Sequence, residues 1–151
     1  MKYSSRSHCE GERIVPAALR KELAAALESL QVPIEEGASS KVRDEIVSKL
    51  RALGWSGELV VSQESKISIT SMKGSTGLCL QTGNMARMYA DLLKLQKLYL
   101  DNSIASAVMI VPSEPVAKAL GANLAHATRL ERELAIFKKV IHVPMVIYAI
   151  E

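Results

Sequence analysis

Between residues 84 and 101, apolar or aromatic side chains recur as Met85, Met88, Tyr89, Leu92 and Leu93, with Tyr99 further on. This i, i+3, i+4, i+7 spacing predicts a helix with one buried face. Arg87, Asp91, Lys94, Lys97 and Asp101 fall mostly on the opposite face, with Arg87/Asp91 and Lys97/Asp101 set as i,i+4 pairs. Asn84 stands at the N-cap position, where its side chain can accept from the first free backbone N–H groups. Just before it, Leu78-Cys79-Leu80-Gln81 alternates as a short strand and breaks at Thr82-Gly83. A strand therefore runs straight into a long helix, with polar atoms gathered at the junction.

Other elements follow from the same patterns. Residues 1–12 lack periodicity, and the segment up to residue 15 is expected to be a flexible arm. Pro16 can open a helix over Ala17–Leu30, with Leu19, Leu23, Leu27 and Leu30 as its buried stripe. Ser40 opens a second helix, in which Val42, Ile46, Leu50 and Leu53 share a face and Gly54 provides the stop. After Trp55 the period shortens to two. Glu58–Ser62, Lys66–Met72 and Leu78–Gln81 read as strands joined by short turns, an antiparallel meander. Beyond the long helix, Ile104–Val111 is almost wholly apolar, as expected of a strand covered on both faces. Pro115–Leu120 and Asn123–Lys139 read as helices, the latter with Leu124, Leu130, Leu134 and Phe137 inward, and Met145–Ile150 as a last strand. A helix joining the third and fourth strands implies that those two pair in parallel. The pattern predicts an α/β domain over residues 1–151, with a mixed sheet of about five strands flanked by helices.

Bulk properties narrow the choices only a little. A length of 151 residues suffices for a substantial core, and the net charge of +3 tilts the choice of partner slightly toward acidic ones. Cys9 and Cys79 stand too far apart to form a disulfide framework or metal cluster, which makes a reducing, cytoplasmic setting the expectation. No apolar run reaches the length of a membrane span, and no membrane association is expected.

The strand-to-helix segment Leu-Cys-Leu-Gln-Thr-Gly-Asn, the apolar strand running into Val111-Pro112-Ser113, and the final Val143-Pro144 strand carry a resemblance. From Ser40 to Glu151 the chain resembles the PD-(D/E)xK nuclease superfamily, and within it the type II restriction endonucleases of the BglII/BstYI kind. The resemblance implies a restriction-endonuclease-like core, double-stranded DNA as partner, a homodimer, and magnesium as cofactor wherever cleavage is retained. In that superfamily an Asp on the second meander strand and a Glu on the third hold the ion, which activates water and offsets charge on the phosphate. The Glu and a Lys or Gln two residues later must point the same way, because side chains alternate along a strand.

At these positions the sequence departs from the pattern. Gln81 matches the family Gln, Cys79 stands where the Glu should be, and Ser68 and Thr70 share the face where the Asp should be. Cys79, Gln81 and Ser68 are thus the family site positions, and as uncharged groups they suit a hard cation poorly, so neither a bound metal nor a cofactor is expected. Cys79 has three readings: a buried inert thiol, a soft-metal ligand or nucleophile, and a site position that has lost its acid. His8, His126 and His142 are scattered and give the second no local support. Glu58, Glu64 and Glu45 are candidates for relocated ligands. For DNA the candidates are Asn84 and Arg87 at the helix start, Lys66 and Lys73 around the hairpin, and Lys41 with Arg43. Asn84 matches the family Asn that reaches DNA, and it equally suits a plain N-cap.

Three functions remain open on this reading: a DNA-binding protein that has lost its catalytic acids, a working magnesium-dependent endonuclease of a restriction-modification system, or a non-enzymatic interaction or inhibitor subunit. The restriction enzymes in the comparison continue past the last core strand, so recognition of their sequence-specific type is not expected of this chain.

Overall fold

Strict alternation along three apolar strands sets the architecture. In the computed structural model, which describes residues 1–151, β5 (Thr76–Leu80), β6 (Ser106–Pro112) and β7 (Met145–Ile150) lie side by side and in parallel, every residue buried. Cys79, Ala107, Met109, Val111, Met145, Ile147 and Ala149 point to one face. Leu78, Leu80, Val108, Ile110, Val146, Tyr148 and Ile150 point to the other. The first face is covered by α4 (Met85–Leu100) and α6 (Ala127–Ile136), the second by α2 (Ala17–Glu28), α3 (Ser39–Ala52) and α5 (Glu114–Leu120). The result is the expected mixed five-stranded sheet between helical layers. Its order is β1-β7-β6-β5-β4, with β1 (Tyr3–His8) and β4 (Ser71–Lys73) as antiparallel edges.

β1 corrects the expected flexible arm. Tyr3 to His8 pair residue by residue with Ile150 to Met145. Backbone groups do this pairing, so a Ser-Ser-Arg-Ser edge strand shows no apolar period, and polar residues there also discourage edge-to-edge association. The N-terminal ammonium donates to Glu28 O at 2.6 Å, and Tyr3 packs on Tyr148 with ring centroids 5.7 Å apart. The chain then reverses through Cys9 and Glu10, both at positive φ, into α1 (Gly11–Ile14).

The expected three-strand meander is also modified. The Lys66–Met72 segment splits at Thr70 into β3 (Ile67–Ile69) and β4, and β3 leaves the main sheet to pair with β2 (Leu59–Ser62). Thr70 Oγ1 accepts from Leu80 N–H at 3.0 Å, a side chain standing in for a ladder carbonyl at the bend. Ser71 and Met72 beyond it are tied to Ser56, through Ser71 Oγ to Ser56 O and Met72 N–H to Ser56 Oγ. The β2–β3 hairpin thus stands apart as one wall of a cleft.

α4 starts where the pattern places it. Asn84 is the N-cap, its Oδ1 accepting from Ala86 N–H at 2.8 Å. Met88, Leu92, Leu95 and Leu98 form its buried stripe, whereas Leu93, expected inward, is 60% exposed. Phe137, expected on the inner face of the last helix, lies just beyond the end of α6 and is likewise exposed. Asp91, expected on the solvent face, is buried. The Lys97–Asp101 ion pair forms at 2.6 Å, but Asp91 pairs with Lys94 rather than with Arg87.

Candidate functional site

The end of β5, the hairpin, the first turn of α3 and the first turns of α4 enclose a cleft of about 560 Å³. Its walls are largely polar. Ser39, Ser40 and Arg43 come from α3, Glu58 and Ser68 from the hairpin, Gln81 to Gly83 from the strand–helix junction, and Arg87, Asp91 and Lys94 from α4.

A relay of hydrogen bonds forms the floor. Gly83 N–H donates to Gln81 Oε1 at 2.9 Å, Gln81 Nε2 donates to Asp91 Oδ2 at 2.6 Å, and Lys94 Nζ donates to Asp91 Oδ1 at 2.9 Å. Gln81 and Asp91 are each only 7% exposed, so the paired amide and carboxylate sit where water is scarce and every partner counts. Arg43 Nη1 donates to Leu80 O at 2.7 Å, which fixes its guanidinium at the cleft edge. Neither Arg43 nor Arg87 is paired with a carboxylate. At the hairpin, Ser68 Oγ donates to Glu58 Oε1.

Of the sequence-derived site positions, Gln81 and Ser68 line this cleft, with Thr70 beside them, and Cys79 does not. Cys79 is on the same strand face as Gln81 but one step deeper, 1% exposed in the apolar layer beneath α4. Burial, and after it the nearby Asp91 charge, pushes its thiol far above the ordinary range, so it stays protonated. The inert reading is the one its surroundings fit.

Among the basic candidates, Arg43 and Arg87 line the cleft. Lys41 is exposed on α3 outside it, and Lys66 sits exposed at the hairpin turn with φ 51°. Lys73 lies on another side of the molecule, donating to Glu22 Oε2 and Leu53 O, both at 2.6 Å. Asn84 is engaged as the cap and does not line the cleft. Of the candidate relocated acids, Glu58 lines the cleft, Glu64 is exposed at the turn, and Glu45 is held by Gln31 N–H and Lys49. The histidines are elsewhere: His8 bonds to Ile141 O, His126 caps α6, and His142 is bonded to Gln96.

Asp91 and Lys94 are the site residues that periodicity missed. Their signal was present as a polar stripe, since Arg87, Asp91 and Lys94 follow one another at i, i+4 and i+7. Such a stripe ordinarily faces solvent. Here its upper part faces the cleft, because β3 and β5 approach the helix from that side.

The donor set can be tested against a magnesium ion. Magnesium wants near-octahedral oxygen ligands with carboxylates among them. The cleft offers two carboxylates: Asp91, with both oxygens engaged by Gln81 and Lys94, and Glu58, bonded to Ser68. No group of three or more His, Cys, Asp or Glu side chains converges anywhere in the chain. The residues present do not fit the ion.

A family model described as restriction endonuclease BglII/BglIII matches residues 3–150. Among solved structures, the fold is similar to that of the restriction endonuclease BglII complexed with a DNA 16-mer, with a TM-score of 0.88 and 13% identity, covering 100% of this chain and 78% of that chain. It is also similar to free BglII, with a TM-score of 0.73 and 15% identity, covering 100% of this chain and 80% of that one. Comparison with curated protein sequences gave no match.

Proposed function

The chain belongs to the BglII/BglIII restriction endonuclease family, and on that premise we propose that it binds duplex DNA in the Arg43–Arg87–Lys94 cleft without cleaving it. The observation that carries this reading is the engagement of Asp91. Its charge is already offset by the Lys94 ammonium and each of its oxygens accepts a hydrogen bond, so a divalent ion would have to displace a fixed cation, and the thiol at the neighbouring family position is buried and neutral. Cleavage in this superfamily runs through such an ion. Binding needs only cations, and the two guanidiniums at the cleft have no carboxylate partners to give up. The similar BglII structure with a DNA 16-mer supports duplex DNA as the ligand.

A homodimer belongs to the same proposal. Leu93 and Leu100, at 60% and 62% exposure, lie seven residues apart on α4 and leave an apolar stripe uncovered. Sedimentation at rising protein concentration tests it.

The deciding experiment is titration of a duplex pool at two salt concentrations in the presence of Mg²⁺. Binding that weakens with salt while the DNA stays intact is the expected result, because phosphate contacts release counterions. Cleavage would show that a metal site forms despite the Asp91–Lys94 pair. An absence of binding at both salts would turn the search to a protein partner.

A further inference from the structure

The cleft is organised around an ammonium. Lys94 is held by Asp91, Asp91 by Gln81, and Gln81 by the Gly83 backbone N–H, so its position is traced back to the main chain of the strand–helix junction. A lysine ammonium has three donors. Asp91 takes one at 2.9 Å, which leaves two for a ligand in the cleft that Lys94 lines. With a side chain only 19% exposed, Lys94 is shielded on most sides and is less screened by salt than a surface lysine. Carboxylates in a phosphate-binding cleft repel the ligand unless a cation offsets them, the part a divalent ion ordinarily plays. Here a covalently attached cation already neutralises Asp91.

We propose that Lys94 is a built-in replacement for the divalent ion, a fixed phosphate-binding cation that makes DNA binding independent of metal. This rests on the DNA-binding reading above. Gln81 and Asp91 act through Lys94 and are positioning residues.

The test is fluorescence anisotropy of a labelled duplex oligonucleotide with the full chain, in EDTA and in Ca²⁺. Wild-type affinity should agree within about twofold between the two conditions. Lys94→Gln should bind about tenfold more weakly in EDTA and lose about one counterion from its salt dependence. It should recover on adding Ca²⁺, because the freed Asp91 carboxylate then has a cation to bind. Asp91→Asn/Lys94→Gln should not recover, and Lys94→Arg should behave as wild type. Asp91→Asn alone should keep the full salt dependence, since the Lys94 charge remains. Wild-type binding that requires Ca²⁺, or Lys94→Gln binding like wild type in EDTA, would overturn the inference and leave the DNA reading standing. Wild type that binds in neither condition would overturn both.

Discussion

Gln81 Nε2 donates to Asp91 Oδ2 at 2.6 Å, joining the residue that follows β5 to the second turn of α4. The bond ties the buried end of the sheet to the helix packed across it. Removing one member of a buried charged network costs more than replacing the whole, because the remaining partners lose solvation without compensation. Asp91→Ala should therefore destabilise the fold by about 3 kcal/mol, whereas Asp91→Leu/Lys94→Met, which leaves only the Gln81 Nε2 donor unpaired, should lose about half of that. Urea unfolding of the three proteins measures this. Equal losses in the single and the double variant would mean that the network contributes no more than its packing volume.

The parts of the fold that could be read in the chain are those where side chains decide the structure. Ala107, Met109 and Val111 face one layer and Val108 and Ile110 the other, so an unbroken apolar run identifies a strand buried on both faces. The cap at Asn84 was readable because a side chain makes it. β1 was not, because its pairing with β7 is made by backbone atoms common to every residue. For Cys79, alternation gives the face but leaves the buried thiol and the site position both open, and only the placement of α4 over that part of the strand selects the buried one. Asp91 was misjudged for the converse reason, since helical periodicity assigns it a side without showing that β3 and Gln81 come to meet it.

Gln96 makes a second connection of this kind at the other end of α4. Its Oε1 accepts from the backbone N–H groups of His142 and Val143, both at 2.9 Å, and holds the turn that feeds β7. Gln96 is only 5% exposed, so no water replaces the amide when it is removed. Gln96→Leu fills the space and leaves both donors unpaired, which should cost about 3 kcal/mol. Thermal unfolding gives the stability, and hydrogen exchange at His142 and Val143 gives the location. Unchanged protection of those two amides would count against the role.

Gly11 is where the N-terminal reversal meets the sheet. A Cβ built on it would lie 2.0 Å from Met145 O and 2.5 Å from Met145 N, backbone atoms at the start of β7 that have no way to retreat. Gly11→Ala should therefore push α1 off β7 and strip β1 from the edge, with the central strands intact. Limited proteolysis should then cut within residues 1–15, and the loss of stability should exceed the small cost expected of an exposed Gly→Ala change. An uncut, wild-type-like variant would mean that the contact opens cheaply.

His8 gives the fold a pH dependence of definite sign. It is 8% exposed, with Nε2 against Ile141 O at 2.7 Å. Burial lowers its pKa below the ordinary 6.5; the Ile141 carbonyl opposes this, and the charges of Lys138 and His142 add to it. Above 6.5 the ring is neutral in both the folded and the unfolded chain, and the contribution of the buried ring is fully present. As pH falls from there, the unfolded chain takes up a proton first, and stability drops until the pH has passed through the lowered folded value. The slope in that window is at most about 1.4 kcal/mol per pH unit. His8→Asn removes the titration, so its deficit against wild type should be constant at neutral pH and shrink on acidification below 6.5, while the carboxylates common to both proteins cancel. Parallel urea series across that range provide the check, and a deficit that stays constant would mean that His8 accepts its proton without cost in the fold.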